Sequence, residues 1–494
     1  MAESLIFEYS VPGRRGVELP EPDVPEAPLP EGFQRTELPL PEVSEVDVVR
    51  HFLRLSQMNY GVDKGFYPLG SCTMKYNPKI NEEVARLPGF GHLHPHQDPE
   101  TAQGALALMY HLQEFLKEIG GFAAVSLQPA AGSQGELAGI LMIRAYHRDR
   151  GEGKKRIKML IPDSAHGTNP ASSAMAGLQV VNIPSDRRGN IDLDALRKEC
   201  DETVAGLMIT NPNTLGLFDE NLLEAIDLVH RCGGLIYGDG ANMNALMGIC
   251  KPGEMGFDVM HYNLHKTFST PHGGGGPGAG PVGASERLAP YLPGPIVAVD
   301  RERTVQPDEP FYTFVWPERS IGRVRAFHGH FGVFVRAYTY IRMHGPRLRE
   351  VSEAAVLNAN YLLAQLRGIY PVPYDRLCKH EFVIMGKVPG ASIRALDISK
   401  RLMDYGFHPP TNYFPLIVPE ALMIEPTETE SKAALDAFAE AMRRIAEEAR
   451  EDPERLQQAP HTTPVRRLDE ARAARNLVLR YLPASASQPA SEPR

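Results

Sequence analysis

A chain of 494 residues, 43% hydrophobic and 23% charged, has the profile of a soluble globular protein long enough for more than one domain. Its net charge of −9, with no long basic run, excludes the electrostatic footprint of a nucleic-acid-binding protein. The five cysteines lack CxxC spacing, which argues against a disulfide framework and a structural zinc site, and no apolar run reaches the roughly 20 residues that cross a bilayer. The opening MAESLIFEYSVPGRRG has neither the basic start nor the continuous apolar core of a signal peptide, so a cytoplasmic location is expected.

Residues 1–60 are expected to form an extended N-terminal arm. The stretch ELPEPDVPEAPLPEGF cannot pack by itself, and a short helix carrying Val48, Phe52, Leu53 and Leu55 follows it. The turn-rich FYPLGSCTMKYNP groups Ser71, Cys72 and Thr73 in a loop, where a ligand contact and a buried cap are both open. In GFGHLHPHQ, His92, His94 and His96 alternate, but no Asp or Cys close by completes a ligand set, so no metal is expected.

From Asp98 and Pro99 a helix is predicted through Leu106, Met109, Leu112, Leu116 and Ile119, stopped by Gly120 and Gly121. The apolar FAAVSLQP then leads to AAGSQGELAGILMIRAYHRDRG, where Ser133 and Gln134 open a helix. Free N–H groups and the positive dipole end make such a start an anion site, although a plain serine N-cap has the same pattern. Strands and helices alternate from there: strands over 157–161, 179–183, 205–210 and 235–237, and helices over 192–200 and 220–231. Such alternation predicts a mostly parallel sheet covered on both faces, with function in the loops at the carboxyl ends of its strands.

Those loops carry DSAHGTNPA, NPNTLG, GDGANMNA and HKTFSTPHGGGG. The last puts Lys266 after an alternating run and before a glycine chain, Gly273 to Gly276 with Gly278 and Gly280, whose backbone can approach a ligand closely. A surface lysine beside a flexible loop is the plain alternative. Four loops taken together supply a hydroxyl at a helix start (Ser133), a histidine (His166), a carboxylate (Asp239) and an amine (Lys266). Pyridoxal 5'-phosphate needs that set: an anion site for its phosphate, a flat group over its ring, a carboxylate to keep its pyridine nitrogen protonated, and an amine to hold its aldehyde. A P-loop is excluded, because Lys266 precedes the glycines and GxxxxGK[ST] is absent.

After the glycines, EPFYTFVWPERSIGRVRAFHGHFG reads as a loop and helix start, followed by two long helices broken near Gly345. A smaller α/β unit should hold strands near 381–385 and 422–425, with Thr427 and Glu430 as the capping box of a last helix. The expected division is an arm (1–60), a large cofactor-binding domain (61–335), connecting helices with a small C-terminal domain (336–450), and a tail (451–494).

The motifs SAHGTNPAS, YGDGANMNA, NLHKTF followed by PHGGGGPG, LGSCTMKYNP and MIEPTETE closely resemble the glycine decarboxylases, the P-proteins of the glycine cleavage system, over nearly the whole chain. Many members are about twice as long and made of two related halves. This chain is similar to the lysine-bearing C-terminal half, a separate subunit 2 (beta) in some bacteria. The resemblance implies an α/β, fold-type-I (aspartate-aminotransferase-like) enzyme, a glycine dehydrogenase (aminomethyl-transferring), with covalently bound pyridoxal phosphate. It further implies a subunit 1 (alpha) partner in an α2β2 heterotetramer, glycine as substrate, and the lipoyl arm of H-protein as acceptor. By it, Lys266 holds the cofactor aldehyde, Asp239 pairs with the pyridinium, His166 stacks on the ring, and Ser133 and Gln134 contact the phosphate with His265 close by. Thr210 and Ala241 would lie beside the ring. It identifies no residue for the glycine carboxylate; Arg323 and Arg325 are available, but surface or interface pairing is the role expected of them.

Overall fold

The computed structural model describes residues 3–35, 38–272, 278–306 and 309–479. It divides into two compact units, Met1–Asn59 with Gln457–Arg494, and Tyr60–Leu456.

In the first unit, the Ser44 hydroxyl accepts the Asp47 N–H at 3.2 Å and so caps the helix Glu45–Met58. The Glu3 carboxylate returns to that helix, taking two bonds from Arg54 at 2.8 and 2.7 Å and meeting His51 at 3.1 Å. Between Val11 and Val43 the described chain forms no helix or strand, and Leu19 and Phe33 are more than four-fifths exposed, at 85% and 81%.

The second unit is organised by a seven-stranded sheet. Its strands are β1 (Ala124–Ser126), β2 (Lys158–Pro162), β3 (Gln179–Ile183), β4 (Val204–Thr210), β5 (Leu235–Asp239), β6 (Val259–His261) and β7 (Val282–Ala284), in the order β1-β7-β6-β5-β4-β2-β3. The run from β6 to β3 is parallel, while β7 is antiparallel to both β1 and β6. Every residue of β4, VAGLMIT, is buried, as a strand covered on both faces requires. On one face the helix Gly132–Asp149 lays Ile140 and Ile143 against Met159, Tyr237 and Val259. On the other, helices Gln103–Gly120 and Leu222–Arg231 bury Leu112, Leu116 and Val229 with Leu207 and Ile236. The architecture is α/β, as expected.

Two strands follow, β8 (Ile296–Gln306) and β9 (Glu309–Val315), paired antiparallel. Helices Phe331–His344 and Leu348–Leu366 come next, parted at Gly345 as the sequence predicts. A second, three-stranded sheet contains β10 (Phe382–Met385), β11 (Thr411–Asn412) and β12 (Ala421–Ile424), ordered β10-β12-β11, with the helix Lys432–Glu451 packing Leu435, Phe438 and Met442 into its core.

Three local expectations change. EPFYTFV is strand β9 rather than a loop and helix start, because its Phe311 and Tyr312 are buried while pairing with Asp300 and Val299. The helix after Asp98 begins at Gln103, behind a single 3₁₀ turn over Pro99–Thr101. The helix Lys432–Glu451 is capped by Ser431, which accepts the Ala434 N–H at 3.2 Å, and not by Thr427. Thr427 sits at φ 67°, and its hydroxyl bonds Thr429 instead.

Candidate active site

The parallel strands end on one side of the sheet, and each hands a side chain to the same place. Beyond β2 comes His166; β4 ends on Thr210 and β5 on Asp239; beyond β6 come His265 and Lys266. The opposite wall is the start of the helix Gly132–Asp149. Together with Ser133 and Ala241 these residues line a cavity of about 210 Å³.

Two glycines explain how the walls come so close. A Cβ on Gly280 would lie 2.0 Å from the Ala131 carbonyl, and one on Gly132 would lie 2.3 Å from Asn263 Nδ2, so β7 and the turn after β6 can press on the helix start only where side chains are missing. The Gly273 to Gly276 run lies outside the described residues.

The helix start is built to receive an anion. The first intrahelical bond is the one from Gly135 N–H to the Ala131 carbonyl at 2.9 Å, and Ala131 supplies no side-chain cap, so the N–H groups of Gly132, Ser133 and Gln134 face the cavity end without helical partners. Ser133 lines the cavity, but the Gln134 side chain turns away, accepting the Ala130 N–H at 2.6 Å and donating to the Val324 carbonyl at 2.9 Å. What Gln134 offers an anion is its backbone N–H.

Asp239 is fully enclosed. Its Oδ1 accepts the Ala241 N–H at 3.0 Å and its Oδ2 accepts Asn169 Nδ2 at 3.0 Å, while His261 Nε2 stands 3.4 Å from Oδ1. Burial raises this carboxyl, but His261, the Asn169 bond, the Lys266 charge and the Ala241 N–H outweigh burial and leave it below the ordinary carboxylate value. Behind it the Tyr237 hydroxyl meets His261 Nδ1 at 2.6 Å. Glu136, also on the cavity wall, goes the other way: burial, then the charge of Asp239, push it up. Two carboxyl groups shifted in opposite directions therefore share one wall, with Asp239 the one held ionised.

Lys266 occupies a turn. Its N–H donates to the Asn263 carbonyl at 3.0 Å, and its carbonyl accepts the Ser269 N–H at 3.3 Å from a residue at φ 58°. Among the described residues its amine forms no hydrogen bond or ion pair. The turn is anchored from behind by Lys75, a buried lysine whose Nζ donates to the Thr267 carbonyl at 3.0 Å and to Asn244 Oδ1 at 2.7 Å and pairs with Glu428 at 2.6 Å. His265 is held neutral, at about 3, by burial first and then by Lys266 and His272. Burial likewise lowers His166, against the pull of Asp239. Among the described residues the buried Thr210 Oγ1 has no partner.

The sequence pattern gave no sign of a second buried cluster beside the cavity. Ser71, at φ 63°, donates its N–H to Glu381 at 2.6 Å, and Thr73, at φ 51°, donates its N–H to Glu425 at 2.9 Å. Burial pushes Glu381 well above the usual carboxylate range, the charge of Glu425 adding to it, and Glu425 itself goes to about 7. His380 Nε2 stands 3.9 Å from each carboxylate, wider than the ~3.3 Å ligand edge of a tetrahedral site with 2.0–2.1 Å bonds. Both carboxyls are raised, so the cluster favours keeping protons on the two glutamates. Arg323 and Arg325 do not line the cavity; Arg323 lies over Trp316, and Arg325 contacts Phe327 and His330.

The model of the family described as "Glycine cleavage system P-protein" matches residues 18–316, and that of "Glycine dehydrogenase, C-terminal domain" matches residues 351–466. A relative from Alkaliphilus oremlandii is 57% identical over 97% of this chain and 98% of its own length. One from Caldanaerobacter subterraneus subsp. tengcongensis is 59% identical with the same coverage. Both bear the name glycine dehydrogenase (decarboxylating) subunit 2. The chain belongs to the glycine cleavage system P-protein family.

Among solved structures, an inhibitor-bound glycine decarboxylase (P-protein) superposes with a TM-score of 0.71 at 21% identity, covering 84% of this chain and 93% of that one. A cysteine desulfurase from Thermococcus onnurineus NA1 gives 0.59 at 16% identity, covering 78% and 95%. These likenesses place this P-protein family member in the fold-type-I class.

The residues fit pyridoxal phosphate on the geometry of the cavity itself: an uncapped helix start, an ionised carboxylate sealed at the far wall, a free amine, and a threonine hydroxyl left without a partner. Glu136, Thr168, His261 and Asn263 are wall residues that the sequence pattern did not single out. Glu136 stands one helical turn from Gly132, a spacing that points a side chain to the same face, and that signal was readable.

Proposed function

We propose that this chain is the catalytic subunit of a glycine decarboxylase, using pyridoxal 5'-phosphate held in the cavity at the strand ends. The observation that carries the reading is the convergence of Lys266, Asp239, His166 and the Gly132–Ser133 helix start on one cavity of about 210 Å³, in a chain 57% identical over 97% of its length to a glycine dehydrogenase (decarboxylating) subunit 2.

Bound there, the cofactor supplies an electron sink for the charge that loss of CO2 leaves on the glycine α-carbon. Lys266 Nζ, which has no hydrogen bond or ion pair among the described residues, would hold the cofactor aldehyde. Asp239, kept ionised by Asn169, His261 and the Ala241 N–H, holds the proton of the pyridine nitrogen. The amides of Gly132 to Gln134 and the Ser133 hydroxyl would bind the phosphate with His265 close by, and Thr210, Ala241 and His166 would contact the ring. The overall conversion would take glycine and the lipoyl disulfide of H-protein to CO2 and an S-aminomethyl dihydrolipoyl arm: the Cα–carboxylate and S–S bonds break, a C–S bond forms, and the other sulfur leaves as a thiol. The carbon is oxidised and the disulfide reduced, so the electrons balance.

The remaining parts of the reading are a subunit 1 (alpha) partner in an α2β2 heterotetramer and a cytoplasmic location. Among the described residues no helix is long and apolar enough to cross a membrane.

The test is release of labelled CO2 from carboxyl-labelled glycine by the two-subunit complex with lipoylated H-protein, alongside the visible absorbance of the bound cofactor. Lys266→Ala should lose covalent cofactor and CO2 release together. Keto-acid formation in place of CO2 would instead indicate an aminotransferase.

A further inference from the structure

His166 stands at the cavity wall, and the groups behind it form a continuous chain. Its Nδ1 lies 2.9 Å from Thr168 Oγ1 and accepts the Thr168 backbone N–H at 3.2 Å. Thr168 Oγ1 lies 2.8 Å from Glu136 Oε1, and the Ser172 hydroxyl donates to Glu136 Oε2 at 3.1 Å.

The hydrogens in this chain can be counted. A backbone N–H is always a donor, so the imidazole nitrogen it meets must present a lone pair, and the ring proton is on Nε2. The threonine hydroxyl has a single hydrogen and two neighbours. Were it to donate to an ionised Glu136, its oxygen would face the Nδ1 lone pair at 2.9 Å with no hydrogen between them. Were His166 to carry a proton on Nδ1, that proton would face the Thr168 N–H. The arrangement that leaves no like pair facing is a protonated Glu136 donating to Thr168 Oγ1, and Thr168 donating to His166 Nδ1. Independently, Glu136 is mostly buried next to ionised Asp239, and both influences raise its pKa; His261 and the hydrogen bonds from Thr168 and Asn169 oppose them without reversing the direction. The charged groups acting on His166 are Asp239 and Lys266.

We propose that Thr168 and Glu136 are positioning residues that lock His166 as its neutral Nε2–H tautomer, through the hydrogen-bond chain Glu136–Thr168–His166. The consequence is chemical. A ring locked this way is uncharged over the cofactor face, offers a donor at Nε2 to an anionic oxygen of substrate or cofactor, and has no free lone pair with which to remove a proton from glycine. His166 then orients and does not act as a base. This rests on the reading of the cavity as a cofactor site only for its consequence; the tautomer itself belongs to the protein without ligand.

The test uses conservative and disruptive pairs. Thr168→Ser keeps the hydroxyl and Thr168→Val removes it. Glu136→Gln keeps a donor, since the amide can donate to Thr168 Oγ1 as a protonated carboxyl does, and Glu136→Leu removes it. In the cofactor-free complex labelled with ¹⁵N-histidine, the His166 resonances, assigned by their loss in His166→Gln, should show a pyridine-like Nδ1 and a pyrrole-like Nε2. Thr168→Ser and Glu136→Gln should keep that signature, whereas Thr168→Val and Glu136→Leu should lose it to a tautomer mixture. In the loaded complex the disruptive pair should lower kcat by about 10- to 100-fold, the range seen when a partner that orients a functional histidine is removed, with a shifted pH profile and retained cofactor absorbance. A pyrrole-like Nδ1 in the parent protein, or Glu136→Gln behaving as Glu136→Leu, overturns the proposal. If the parent complex fails to take up pyridoxal phosphate, the reading of the cavity fails, and the ¹⁵N shifts still decide the tautomer.

Discussion

At the scale of single residues, charge placement is what the site is made of. Asp239 is an ionised carboxylate in an enclosed place, a state reached only because His261, Asn169 and a backbone N–H converge on it. Asp239→Asn keeps the shape and removes the charge. Turnover should fall about 10²–10³-fold, in line with removal of a preorganised electrostatic group, while cofactor content measured by absorbance falls far less. Equal loss of both would assign Asp239 to cofactor retention instead. Lys266, Asp239, Ser133 and His166 were singled out because each lies in a loop after a predicted strand or opens a predicted helix. Glu136 and His261 were not singled out: on paper Glu136 offers only its one-turn spacing from Gly132, a histidine inside a strand is ordinary, and burial beside Asp239 is what gives both their meaning.

At the scale of elements, the site depends on close backbone approach and on a turn held from behind. Gly280→Ala would put a methyl 2.0 Å from the Ala131 carbonyl, forcing β7 and the helix Gly132–Asp149 apart. Thermal unfolding should show a loss of ~1–3 kcal/mol, the usual cost of overpacking, together with weaker phosphate binding at the helix start. Lys75→Met removes the cation that neutralises Glu428 and bonds the Thr267 carbonyl. Breaking a buried pair from one side costs ~3–5 kcal/mol, and the urea midpoint should fall accordingly, with much of the loss returned in Lys75→Met combined with Glu428→Gln. An unmoved midpoint would show that Lys75 anchors nothing. Strands β2 to β5 and the helices after β3 and β4 were predictable from apolar runs set between turn signals, whereas the helix Thr168–Met175 after β2 reads as a loop in the sequence. Strand β9 was not predictable, since Phe311 and Tyr312 read equally well in a loop until Val299 and Asp300 pair with them.

For the whole molecule, the buried Glu381–Glu425 pair ties stability to pH. Glu425 is pushed up to about 7 in the fold, whereas an unfolded glutamate titrates near ~4.3. A carboxyl that keeps its proton when folded and sheds it when unfolded makes stability fall as pH rises, here from about pH 4.5 to about pH 7, with the full loss present above that window. Urea unfolding across that range should show the negative slope, and Glu425→Gln should flatten it by up to ~1.4 kcal/mol per pH unit. Glu430, also raised to about 7 by burial, adds to the slope and remains in that variant. A slope of the same size in both proteins would place the titrating proton elsewhere. The exposed Leu19 and Phe33 of the proline-rich arm belong to this scale too, as apolar surface available to a partner subunit.

The amino-acid sequence by itself determined the layered α/β architecture and the strand-end loops, because burial on both faces writes apolar runs between turn signals, and it named the lysine, aspartate, serine and histidine those loops carry. Tertiary structure decided which groups are charged. Whether Glu136 or Asp239 holds a proton, why Lys75 is tolerated in the core, and that Ser71 and Thr73 turn their N–H groups onto two buried glutamates all depend on neighbours distant in sequence, because a side chain's protonation follows its solvation and the charges facing it.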